Sequence, residues 1–217
     1  MKKNQIKTLI IVGTGQHSLV ALDIVLYQKN FQQIYFLDRE SEKKKSIKIN
    51  KIKFKVLNYD DLSSFDIENS SYFIAIGDNQ IRKNEFNNLK NRNLKPVNII
   101  SPNSVISPNV LLGKGNLINH GVIINHTCKL KNNSIINTNS SIDHNCDIGS
   151  HVHICPGVSC LGNVQIGDGS FIGAGANIDL NVHIGKNCFI SPGSTLTKNL
   201  EDNKKIIFER KQIISSI

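Results

Sequence analysis

Between Ser140 and Gly157 the chain reads SSIDHNCDIGSHVHICPG, which puts His144, His151, His153, Asp143, Cys146 and Cys155 within eighteen residues. Two chemistries use such residues. Histidine and cysteine hold zinc when three or four of them converge, with water in an open position if the metal is catalytic. A neutral imidazole, whose ordinary pKa is about 6.5, takes a proton as a general base at cytoplasmic pH. Spacing in the line of text does not choose between them. The choice depends on the elements that carry these side chains.

Those elements repeat. From Ser104 onward the chain divides into hexads, among them VIINHT, CKLKNN, SIINTN, SSIDHN, CDIGSH and VHICPG, and the third residue of sixteen successive hexads, from Ile106 to Leu196, is apolar. With roughly 40% of positions apolar, chance gives such a run with a probability on the order of one in a million. Small residues, Gly, Asn or Asp recur at the fourth and sixth places, where a tight turn needs them. Each hexad therefore predicts a short strand that points one aliphatic residue inward and a turn to the next face; three hexads close one triangular coil of a β-solenoid. Residues eighteen apart stack, so His126 and His144 are neighbours on successive rungs near one corner, His120 lies at the next corner, and His153 and His183 project outward from strand faces. His120, His151 and His183 read as surface or turn histidines.

Residues 7–100 have a different pattern. KTLIIVG reads as a buried strand, GTGQHS as a turn, SLVALDIVLYQKN as a helix and IYFLD as a strand ending at Asp38; YFIAIGDN is a further strand, IRKNEFNNLKNRN a helix and PVNIIS a short last strand. Strands alternating with helices predict a parallel sheet with ligands at the carboxyl ends of its strands. The expected fold is an α/β Rossmann-like domain over 1–102, a parallel β-helix over 103–200 and a carboxyl-terminal cap over 201–217.

Composition narrows the classes. No run of about 18 apolar residues exists, so no membrane span is expected, and the opening residues lack a cleavage site; a cytoplasmic protein is predicted. Five cysteines, without a CxxC pair, read as buried core residues rather than a disulfide framework. The net charge of +9 is scattered, apart from Lys43, Lys44 and Lys45, with no recognition helix or stacking motif, which speaks against nucleic acid.

With both halves in view, the chain resembles the bacterial nucleotide-sugar N-acetyltransferases of the PglD, VioB and NeuD-like family. The resemblance rests on LIIVGTGQHS, FLDRE, FIAIGDNQIRKN and above all SIDHNCDIGSHVHICPGVSCLGNVQIGDGSFIGAGA. It implies a left-handed β-helix, acetyl-CoA as co-substrate, no metal, and a homotrimer with active sites between subunits. His144 would be the general base that takes a proton from a sugar amine attacking the thioester. His153, Ala174 and Pro192 would contact acetyl-CoA. Gly15, Gln16 and His17 would lie beneath the nucleotide diphosphate, Asp38 and Arg39 near the base or ribose, and Gly77 at the neighbouring strand end. The expected acceptor is a UDP- or dTDP-linked 4-amino-4,6-dideoxy sugar destined for a cell-surface glycan. In close relatives a glutamate follows the catalytic histidine; here Asn145 follows and Asp143 precedes, so either Asp143 supplies the carboxylate, or the base is weaker, or the acceptor differs. O-acetylation of a sialic-acid-like sugar, a zinc site like that of the hexapeptide carbonic anhydrases, and a non-catalytic scaffold are the alternatives.

Overall fold

The computed structural model describes residues 8–40, 45–49, 51–64 and 69–207. Strand β1 (Thr8–Val12) is buried along its whole length, because it pairs in parallel with β2 (Gln33–Leu37) on one side and β5 (Ser70–Ile74) on the other. Helix α1 (Gln16–Gln28) buries Ala21, Leu22, Ile24 and Val25 on one face of this sheet. Helix α2 (Asn79–Asn91) puts Phe86 and Leu89 on the other. A strand covered on both faces is apolar throughout, which is why TLIIV shows no alternation.

Two features depart from the sequence reading. Strands β3 (Ser46–Ile49) and β4 (Ile52–Leu57) form an antiparallel hairpin, so the sheet is mixed, in the order β3-β4-β2-β1-β5 and then β6 (Lys95–Pro96). The pattern is visible in retrospect: Phe54 and Val56 are buried while Lys53 and Lys55 are exposed, the period-two pattern of a half-covered strand. The segment PVNIIS is not the last strand of that sheet but a junction. Pro96 ends β6, whereas Ile99–Ile100 is β7, which pairs with Leu117–Ile118 in the solenoid. Asn98 turns the corner between them, donating to Gly113 O at 2.8 Å and accepting from Asn116 N at 2.9 Å.

Among the described residues, eighteen two-residue strands, β7 to β24 (Lys205–Ile206), make three parallel sheets of seven, six and five strands. The pairing register is eighteen residues from Ile99 to Leu196, for example Ile124 with Ile142 and Ile142 with Cys160. Ile118, Ile136, Ile154, Ile172 and Ile190 stack along one sheet at 0% exposure. All five cysteines are free and buried, and three of them, Cys128, Cys146 and Cys188, stand at first positions of their hexads. From Gly115 to Gly193, every sixth residue has positive φ, which explains the preference for Gly and Asn there. The strand Lys205–Ile206 adds one more rung beside Phe189–Ile190, so the start of the proposed cap continues the solenoid; residues 208–217 lie outside the described residues.

The amino-terminal half packs on the seven-stranded face. Leu22, Ile99, Leu117 and Ile135 share one core cluster. Arg82, 1% exposed, donates to Asn133 O, His151 O and Val152 O of the solenoid and to Ile76 O and Gly77 O of its own half. Burial pushes its pKa down to about 10, so the guanidinium stays charged and works as a donor to carbonyls on both sides of the junction.

Candidate active site

The carboxyl edge of the α/β sheet faces the upper rungs of the solenoid and forms a cleft. Gly13, at φ 99°, turns the chain out of β1; a Cβ there would stand 3.0 Å from Ile76. Gly15 and Gly77 border open space, since a Cβ at either meets nothing within 4 Å. Gly15 caps α1 with no side-chain hydrogen bond, which leaves the first backbone N–H groups of the helix for an anion. Helix α2 differs: its cap Asp78 accepts from Ile81 N at 2.8 Å and fills that role itself.

Asp38, at the end of β2, accepts from Thr14 Oγ1 at 2.6 Å and from Glu40 N at 3.0 Å. Arg39 reaches back to Glu85 Oε1 with Nε at 2.9 Å and Nη2 at 2.7 Å, and Tyr59 donates its hydroxyl to the other oxygen of Glu85. These groups line a small pocket of about 180 Å³ beside Gly13. Tyr59 and Glu85 are absent from the sequence reading because no motif marks them; they come from the segment after β4 and from α2, and meet Arg39 only in the folded sheet.

A second, larger cleft of about 760 Å³ runs from Gly77 and the start of α2 to His153, Phe171 and Phe189 on the solenoid face. His153 projects outward, as its second position predicts, yet is only 8% exposed because the other half covers it. Its Nδ1 donates to Gly77 O at 3.2 Å, and its ring lies edge-on to Phe171. The Phe171 and Phe189 rings stack at 4°. Burial, aided by the charge of Arg82, pushes His17 and His153 down to about 4. Both imidazoles are therefore neutral near pH 7, and His17 Nε2 is buried with no hydrogen-bond partner. Ala174 and Pro192 are exposed at the next corner on successive rungs, joined by the bond from Gly193 N to Ala174 O at 2.8 Å.

His144 stands elsewhere. It lies at the corner between the strands Ser141–Ile142 and Asp147–Ile148, which belong to the six- and five-stranded sheets, opposite the face that the amino-terminal half covers. The column there runs His126, His144, Gly162. A Cβ on Gly162 would lie 2.4 Å from His144 Cε1 and 2.6 Å from Nε2, so the imidazole lies back over the bare glycine backbone. Asp143 does not meet the ring. Its Oδ1 accepts from Asn125 Nδ2 at 2.9 Å and from the His144 backbone N–H at 2.8 Å, and these bonds hold its carboxyl below the usual range. The group at His144 Nδ1 is the Asn145 amide, at 3.2 Å. The cluster that looked like one ligand set is thus divided between two faces, and among the described residues no three of His, Cys, Asp and Glu converge on a metal position.

Comparison with known proteins gives these features a class. Residues 8–89 match the PglD N-terminal domain family and residues 163–198 the bacterial transferase hexapeptide family; the protein is an acyltransferase built on a hexapeptide-repeat β-helix. Within that class the chain is similar to solved acetyltransferases, one of them a perosamine N-acetyltransferase. It is 26% identical to the acetyltransferase domain of PglB from Neisseria gonorrhoeae FA1090, with a TM-score of 0.84 over 92% of this chain and 95% of that one. That domain has also been solved with acetyl coenzyme A. PerB from Caulobacter crescentus, in complex with CoA and GDP-perosamine, is 28% identical with a TM-score of 0.82 over 91% of this chain and 92% of that chain. WeeI from Acinetobacter baumannii AYE shares the fold at 24% identity, with a TM-score of 0.83 over 93% of this chain and 97% of that chain. No curated protein matches the chain.

Proposed function

We propose that the protein transfers the acetyl group of acetyl-CoA to the 4-amino group of a 4-amino-4,6-dideoxy sugar linked to a nucleoside diphosphate, UDP or dTDP by our reading, with His144 as the base. The observation that carries this is the place of His144: an imidazole exposed at a corner over a glycine floor, with the Asn145 amide 3.2 Å from its Nδ1. In the reaction the sugar nitrogen attacks the thioester carbonyl carbon, the C–N bond forms, the His144 imidazole takes the proton from nitrogen, and the C–S bond breaks to release CoA thiolate. Alignment of amine and thioester supplies much of the rate, and no acyl-enzyme is required.

The nucleotide diphosphate is assigned to the uncapped amino terminus of α1, with Asp38 and Arg39 near the ribose or base and the unpartnered Nε2 of His17 as a polar atom for the bound substrate to satisfy. Ala174 and Pro192 form the corner along which the pantetheine arm lies, with His153 close by. Because His144 is on the far side of the prism from this cleft, one chain does not assemble the site. A homotrimer, in which the His144 corner of one copy meets the Ala174 corner of the next, does so, and the exposed Leu161 and Leu180 near His144 fit such burial.

Thermal unfolding with UDP, dTDP, GDP and CMP tests the reading, since a site with a Kd one-hundredth of the ligand concentration adds about 2.7 kcal/mol. Stabilisation by UDP or dTDP is expected. The Caulobacter likeness makes GDP the informative rival, and stabilisation by CMP alone would favour O-acetylation of a sialic-acid-like sugar. Acetyl transfer unchanged by His144→Ala would remove the proposed base.

A further inference from the structure

The run KKKSIKINKIKFK, from Lys43 to Lys55, holds seven lysines and no acidic residue. Of the 26 Lys and Arg in the chain, the nineteen outside this run nearly balance the 17 Asp and Glu, so one segment carries most of the net charge of +9. In the line of text that charge looks scattered beyond Lys43, Lys44 and Lys45. The fold gathers it on the hairpin of β3 and β4.

The pairing register shows how. Lys48 stands directly opposite Lys53, and Ser46 opposite Lys55. Ile47, Phe54 and Val56 alternate with these residues and are buried in the core shared with α1. Lys48, Lys53 and Lys55 therefore share the other face of the hairpin, while α2 packs over β5 and β6 on the far side of the sheet. Lys45, Lys48, Lys51, Lys53 and Lys55 are all exposed, and among the described residues none of them forms an ion pair. Like charges directly across a strand pair destabilise it. Charge kept against the interest of the hairpin, with nothing in the chain to neutralise it, points to an anion outside the chain.

The tip of the hairpin supplies a second observation. Ile52, between Lys51 and Lys53, is 52% exposed, and Tyr27, near the end of α1, is 72% exposed, more than any other large hydrophobic side chain among the described residues. Strand β4 begins at Ile52, and α1 runs antiparallel to the strands it joins, so both side chains belong to the amino-terminal edge of the sheet. The candidate active site is at the opposite, carboxyl edge. A duplex is read by polar forks at base edges and single strands by stacked aromatic rings, neither of which the hairpin carries. An anionic bilayer takes lysines among its headgroups and aliphatic and phenolic side chains just beneath them.

We propose that the hairpin tip is a docking surface for an anionic lipid bilayer, with Lys48, Lys51, Lys53 and Lys55 at the headgroups, Ile52 and Tyr27 entering the interface, and the carboxyl edge with its clefts turned to the aqueous side. The inference does not depend on the role of His144. Each lysine near an anionic leaflet contributes about fivefold to the partition coefficient. The association is reversible by salt, since the Debye length falls from about 10 Å at 0.1 M to about 3 Å at 1 M.

Sedimentation of the full-length protein with vesicles tests this. Binding is expected to vesicles of phosphatidylcholine mixed with phosphatidylglycerol, not to phosphatidylcholine alone, and is expected to be lost at about 1 M salt. Replacing Lys48, Lys53 and Lys55 together by glutamine should lower the partition coefficient about a hundredfold, with Tm no lower than wild type because the facing charges are gone. Ile52→Ser should lower it about tenfold and keep the salt dependence. Glutamine at the exposed solenoid residues Lys114, Lys131 and Lys186 removes the same charge and should leave binding unchanged. Equal sedimentation with both vesicles, or with neither, overturns the inference. So does a hairpin variant that binds like the wild type, or a solenoid variant that loses as much as the hairpin variant. Retention on duplex DNA by a protein that the anionic vesicles leave in solution also overturns it and assigns the lysines to nucleic acid.

Discussion

Replacing Gly162 by alanine tests whether the placement of His144 governs turnover. The added Cβ would come within 2.4 Å of Cε1, 2.6 Å of Nε2 and 3.0 Å of Nδ1 of the imidazole. Ordinary carbon contacts lie at about 3.5–4.0 Å, so the ring must retreat by about 1 Å or more. The backbone has no reason to move, because Gly162 is absent from the positive-φ residues and the end of a side chain gives way more cheaply than a solenoid rung. The stability change is then the small gain of a compatible Gly→Ala substitution, about 0.4–1 kcal/mol, set against the weakened bond to Asn145, of similar size. A misplacement of about 1 Å from the productive geometry lowers rate by about a hundredfold. Steady-state acetyl transfer from acetyl-CoA, with thermal unfolding on the same preparation, should give kcat down by about a hundredfold, KM little changed and Tm within a few degrees of wild type. A folded Gly162→Ala protein with kcat within twofold of wild type would refute the assignment of His144 to the reacting centre.

Mixing two inactive variants, His144→Ala and one with Asp38 and Arg39 both replaced by alanine, should restore part of the activity after co-refolding if each site is built from two copies; mixtures as inactive as the separate variants would mean that one chain holds the whole site. Arg82→Met should lower unfolding free energy by at least about 3 kcal/mol, measured by denaturant titration, because carbonyls on both sides of the junction lose their donor. His17, His151 and His153 are all held near 4 by burial beside Arg82, whereas in the unfolded chain they titrate near about 6.5. Between those values the unfolded state binds more protons, so stability is full above about 6.5 and falls as pH drops toward 4. Tm followed across that window should show a steep acid loss, and His153→Gln should make the loss shallower.

How far the sequence reaches differs between the two halves. A hexad needs one inward aliphatic residue and one corner residue able to take positive φ, so the solenoid writes its own register into the chain, and the stacking of His126 below His144 follows from counting. The same counting places Gly162 in the His144 column, where its missing side chain leaves room for the imidazole. The α/β half is less legible, since its apolar strands share no strict period; the β3–β4 hairpin and the division of PVNIIS between two sheets emerged only with pairing partners in place.

The sequence by itself determined the coil, the height of each histidine along it, and the glycine turns at the carboxyl edge of the sheet, because all of these depend on contacts within a few residues or on a fixed repeat. Only the tertiary structure decided which face the amino-terminal half would cover. That choice buries His153 and leaves His144 on the opposite corner, and it depends on Arg82, Leu22 and Phe86 finding carbonyls and apolar surface on rungs distant in sequence. It also decided that Asn145, and not Asp143, meets the imidazole: from adjacent positions of one turn, only the positive-φ residue carries its side chain to Nδ1, while Asp143 folds back on the His144 backbone.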